Sequence, residues 1–129
     1  MGEDFARFVA IGVGAVLGAN LRYVVANGVA DRWGAEFPYG TLVINASGAF
    51  VIGMFLAFLA SRTDINPLWR LFFATGFLGG YTTFSSYAWE ALTLGRDGAW
   101  LSALLYVGGS NVLGLVGVWV GSSLVGWRT

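Results

Sequence analysis

A chain of 129 residues with zero net charge, 57% hydrophobic and only 11% charged, has the composition of a bilayer protein, because soluble domains carry roughly 25% charged residues. Neither cysteine nor histidine occurs, which excludes disulfides, thiolate catalysis, zinc sites built on Cys or His, and imidazole acid–base chemistry. The balanced charge offers no basic surface for nucleic acid, and the length allows one domain, residues 1–129.

The opening "MGEDFAR" is acidic where a signal peptide wants positive charge, and Ala6 stands where a myristoylation motif needs Ser or Thr. The first apolar segment is therefore expected to be retained. Charged residues then divide the chain. Arg7 and Asp31 bracket 23 residues interrupted only by Arg22, and Glu36 and Arg62 bracket 25 with no charge. Arg70 and Glu90 bracket 19, and Asp97 and Arg128 bracket 30. A spanning helix needs roughly 20 mostly apolar residues, so four transmembrane helices are predicted at about 5–27, 39–61, 68–95 and 99–126. Polar, Gly- and Pro-containing connectors separate them, with Pro67 suited to the start of the third helix. Trp33, Trp69, Trp100 and Trp127 lie near span ends, as interfacial aromatics do.

An even number of spans puts both termini on one side. Arg7, Arg62, Arg70 and Arg128 share that side, against Arg32 and Arg96 on the other. The positive-inside rule places the termini in the cytoplasm, and the bias is small enough to allow insertion both ways up. Gly14 and Gly18 in the first span, and Gly117 and Gly121 in the last, are spaced for close helix approach in lipid. They fit either packing within the chain or self-association. Self-association is the expectation, because four short helices enclose little interior.

Polar side chains at membrane depth ask for a partner, a cavity or a pathway. Arg22 lies on the Gly14–Gly18 face and fits a vestibule, snorkelling or topology control. Thr41, Asn45 and Gly48 share a face of the second span; there Asn45 is either interhelical glue or pathway lining. Tyr106, Ser110 and Gly114 form a stripe on the fourth, with Asn111 adjacent. The third span carries the oddest stretch, "TGFLGGYTTFSSYAWE", residues 75–90. Its Gly79-Gly80 pair weakens a helix, and five hydroxyls follow. Irregular backbone at this depth survives only where protein or a cavity covers it. A break there frees carbonyl oxygens that can coordinate a small hard cation. Phe84 and Tyr87, three apart, share a face and offer electropositive ring edges. Glu90 is the one acid near a polar stripe.

In this order, "GAVLGANLRY", "GTLVINASGAF" and "TGFLGGYTTFSSYAWE" closely resemble the Fluc (CrcB-type) fluoride channel family over nearly the whole chain. The resemblance implies an all-α membrane protein with its third helix broken mid-membrane. It also implies an antiparallel, dual-topology homodimer in the cell membrane, with two passive fluoride pores. One structural sodium ion is implied at the dimer centre, on the backbone carbonyls of Gly79 and Thr82 from both subunits. By motif, the fluoride pathway takes Asn45, Phe84 and Tyr87, with a hydroxyl track of Thr41, Ser85, Ser86, Tyr106 and Ser110. Glu90 falls at the pore mouth and Arg22 in a vestibule. Three positions depart from the family pattern: Tyr87 replaces a usual Phe, while Ala88 and Gly114 stand where members often carry Ser. Two rival classes are a small multidrug exporter, whose usual first-span carboxylate has no counterpart here, and a non-transporting assembly subunit.

Overall fold

The computed structural model describes residues 2–126. The expectations for Trp127 and Arg128 fall outside the described residues. Three helices are long and apolar enough to cross a membrane: α1 (Gly2–Trp33), α2 (Tyr39–Ala60) and α6 (Trp100–Leu124). A fourth crossing is assembled from pieces. It begins with α3 (Pro67–Arg70), where Pro67 follows the N-cap Asn66, whose side chain accepts from Leu68 N–H. A π-helical run, Leu71–Leu78, continues into α4 (Gly79–Tyr81). After two extended residues, α5 (Phe84–Arg96) completes it. Helical segments thus cover all four expected stretches, three of them as single helices long and apolar enough to cross a membrane. The first is longer than expected at both ends, and the third is interrupted.

The polarity of the molecule is inverted relative to a soluble protein. Phe8, Leu104 and Leu115 are 74%, 70% and 75% exposed, while Tyr106 is wholly buried. Apolar side chains facing outward match lipid, which offers them no penalty. The packed centre is small, built on Ile44, Leu78 and Tyr81 with Phe73 and Phe77 against it. Phe73, Phe77 and Tyr81 recur every four residues from the π-helical run into α4, and they stack into a column. Their ring centroids lie 5.3 Å and 6.3 Å apart, with planes within 16° and 5°.

The closest packing joins α1 to the π-helical run and α2 to α6. Glycines make both seams. A Cβ on Gly76 or Gly80 would lie 2.6 Å from the carbonyl oxygen of Ile11 or Ala15, and one on Gly14 or Gly18 would lie 2.8 Å from a backbone nitrogen of the third span. Two glycine pairs spaced by four thus interlock across this seam. On the other, Gly53 meets Val118, while Gly117 and Gly121 meet Ala46 and Phe50 of α2. Both glycine pairs singled out in the sequence are therefore spent inside the chain, and any self-association needs another surface.

The break itself is displaced from its expected place. Gly79 has helical dihedrals (φ −63°, ψ −35°), and α4 carries the helix through Tyr81. The chain leaves the helix at Thr82 (ψ 159°) and Thr83 (φ −151°, ψ 121°). Gly80 is needed for its close approach to Ala15. The interruption comes at the two threonines: Thr82 N–H still donates to the Leu78 carbonyl, while Thr83 N–H and both threonine carbonyls bond to side chains.

Candidate functional site

The broken span faces α2 on one side and α6 on the other, and the sequence stripes on those helices meet it. On α2, Gly48 is where a Cβ would collide with the Thr82 side chain and touch the Tyr81 ring. One turn earlier, the Asn45 amide grips Thr83 from both ends. Its Oδ1 accepts from Thr83 N–H at 2.8 Å, and its Nδ2 donates to the Thr83 carbonyl at 2.9 Å. These backbone partners fix which end of the amide is which. One Asn45 N–H remains for another acceptor. One further turn away, Thr41 Oγ1 donates to Glu90 at 2.8 Å.

Thr83 is the residue at this site that the sequence reading left out. It caps α5, accepting Ser86 N–H at 3.2 Å, and its hydroxyl donates to Ser86 Oγ at 3.1 Å, with Ser85 Oγ 3.3 Å away. The signal was available: a threonine directly before the resumed apolar periodicity is an N-cap candidate.

From α6, Tyr106 donates to the other Glu90 oxygen at 2.6 Å, and its ring lies 5.4 Å from that of Tyr87. Glu90 is thus clamped by two hydroxyls whose protons are both spent on it. It lines a cavity of about 520 Å³ together with Glu36, Asp97 and Thr41. Tyr87 Oη accepts from Asn111 Nδ2 at 3.1 Å, and Asn111 also donates to the Val107 carbonyl at 2.7 Å. The membrane-depth Asn111 therefore has its partners. Ser110 Oγ is buried and meets no hydrogen-bond partner among the described residues. The Phe84 ring, 79% exposed, stands 5.6 Å from the Tyr87 ring. It edges an open groove of about 370 Å³ that Asn45, Gly79, Thr82 and Thr83 also line.

The expected hydroxyl track divides by this geometry. Thr41 and Tyr106 donate to Glu90. Among the described residues, no acceptor takes the hydroxyl protons of Ser86, Tyr87 and Ser110, nor the second amide N–H of Asn45. These are uncharged donors at membrane depth. Arg22 sits on the α1 seam, and its guanidinium donates to the Thr82 carbonyl at 3.4 Å.

The carbonyls of Gly79 and Thr82 are left out of the helical ladder at the break. In a continuous helix they would accept from Thr83 and Ser86, four residues on. Those two N–H groups instead go to Asn45 Oδ1 and Thr83 Oγ1. The Thr82 oxygen already draws the Arg22 guanidinium. Oxygen donors of this kind are what sodium-like ions take in discontinuous membrane helices.

Together these features define a small multi-pass helical membrane protein with one interrupted, donor-lined crossing. The chain belongs to the CrcB-like family: residues 9–122 match the family model described as CrcB-like protein, Camphor Resistance (CrcB). A relative from Roseiflexus sp. (strain RS-1), named Fluoride-specific ion channel FluC, is 48% identical over 118 residues, covering 92% of this chain and 95% of that protein. Proteins of the same name from Acidobacterium capsulatum and Aquifex aeolicus are 43% and 42% identical, covering 89% and 87% of this chain and 92% and 90% of their own lengths. The family resemblance carried by the sequence motifs is confirmed, and the multidrug-exporter alternative is set aside.

Proposed function

We propose that this chain is a fluoride-selective passive channel of the cell membrane, and not an enzyme, working as an antiparallel, dual-topology homodimer with two pores. The observation that carries the reading is the line of uncharged donors with unaccepted protons, Asn45, Ser86, Tyr87 and Ser110, beside the exposed Phe84 ring. Ser85, also exposed, adds its hydroxyl at the Thr83 cap. A pore must replace the hydration of a small anion with donors, yet bind it weakly enough to release it. Amide and hydroxyl protons and electropositive ring edges do this without the trapping strength of a full positive charge.

Arg22 draws anions toward the pathway from a vestibule. Glu90 marks the opposite mouth, where Thr41 and Tyr106 hold its carboxylate instead of offering their protons to the anion. An inside-negative potential drives the anion outward with about 2.3 kcal/mol per charge per 100 mV. Dimerisation is supported by the open side of the groove at Phe84. A bound sodium ion would supply a fixed positive charge joining the two subunits at their centre. The residues that would hold it are Gly79 and Thr82, through their carbonyls.

The deciding experiment is fluoride efflux from liposomes containing the purified protein, read with a fluoride electrode. Rapid efflux with chloride barely permeant is expected, without any proton gradient. Fluoride movement strictly coupled to protons, or none above empty liposomes, overturns the channel reading.

A further inference from the structure

An interruption in a membrane helix has to be held open. Thr83 and Ser86 carry the two N–H groups that a continuous helix would return to the carbonyls of Gly79 and Thr82. Both are diverted to side-chain oxygens, one to Asn45 Oδ1 at 2.8 Å and one to Thr83 Oγ1 at 3.2 Å. A donor with no acceptor is costly at membrane depth. Removing either side-chain oxygen therefore drives the backbone toward the continuous helix, where the two N–H groups reclaim the two carbonyls.

We infer that Asn45, with the Thr83 hydroxyl, forms the positioning pair that presents the Gly79 and Thr82 carbonyls to a cation. The inference rests on reading those carbonyls as cation ligands. Asn45 does more than accept one N–H. Its Nδ2 donates to the Thr83 carbonyl at 2.9 Å, so both ends of the amide hold one residue and its orientation is locked. Thr83 is buried, which shields the latch from competing water. Two consequences follow from the lock. Asn45 has one N–H left for an anion, and the amide cannot turn to follow an ion without releasing Thr83 N–H. The residue assigned to the anion pathway is thereby tied to the cation site through a single side chain.

The test uses Na+ as the probe and the purified full chain in detergent. Thermal unfolding midpoints are titrated with NaCl against N-methyl-D-glucamine chloride at constant ionic strength, since a ligand of the folded state raises the midpoint with its concentration. Asn45→Leu and Thr83→Val should require about 10–100-fold more Na+ for the same rise, the usual effect of losing a group that supports a metal's ligands. Thr83→Ser keeps the capping hydroxyl and should retain the wild-type response. Asn45→Leu and Thr83→Val variants that fold and titrate like wild type overturn the inference while leaving the cation reading intact. A wild-type protein whose midpoint ignores Na+ overturns both, and liposome flux still judges the channel separately. Should Asn45→Leu fail to fold, Thr83→Val decides alone.

Discussion

At the scale of single residues, donors matter more than polarity. Thr41 and Tyr106 looked equivalent to Ser86 and Ser110 as hydroxyls, yet the first two have given their protons to Glu90. Phe84 is a large ring with 79% of its surface open beside the groove. Phe84→Ile is expected to slow fluoride flux by about tenfold or more, equivalent to about 1.4 kcal/mol of barrier, with the size-exclusion profile unchanged. Flux equal to wild type would remove Phe84 from the pathway. Asn111 holds the Tyr87 hydroxyl at 3.1 Å. Tyr87→Phe keeps the ring edge, and Asn111 keeps its bond to the Val107 carbonyl. Conduction should persist in the same efflux assay; a dead variant would make the phenol hydroxyl essential.

At the scale of elements, glycine spacing decides which helices touch. Gly18 lies where a Cβ would meet the backbone of Phe77 and Tyr81, whereas Gly12, six residues earlier on α1, has nothing within 4 Å of that position. Gly18→Ala should destabilise the detergent-solubilised protein by about 1–3 kcal/mol through overpacking. Gly12→Ala should fall within about 0.5 kcal/mol of wild type. Denaturant titration monitored by tryptophan fluorescence compares the two. Equal stability would mean that the α1 seam is looser than its geometry. The same seam explains why the π-helical run and α4 remain helical despite their glycines: lost propensity is offset by backbone packing that no larger residue permits.

At the scale of the whole molecule, the outward apolar surface and the open groove set the terms of assembly. The glycine pairs that suggested self-association are consumed within one chain, so any self-association has to use another surface. The protein is expected to cross-link as a dimer in detergent at low occupancy of micelles, and a monomer active in liposomes would sink the two-pore arrangement. Arginines divide four to two between the sides in the sequence, a weak orientation signal. The chain has no cysteine, so a single Asp64→Cys change in the exposed connector before α3 reports topology cleanly. An impermeant maleimide should label comparable fractions from each side of the membrane; labelling from one side alone contradicts dual topology.

The crossing segments were legible because membrane thickness translates directly into runs of apolar residues between charges, and α2 and α6 match the expected bounds closely. The polar stripes were legible for a related reason: helical spacing alone places Thr41, Asn45 and Gly48 on one face. The break was located only approximately, because glycine propensity is a weak local term that packing against Ala15 overrides. What each polar group does was decided by tertiary structure. Thr41 meets Glu90, Asn45 meets Thr83 and Arg22 meets Thr82 across 49, 38 and 60 residues of chain. Local patterns can put a donor on a face. They cannot say whether its proton is already taken, because the acceptor arrives on another helix.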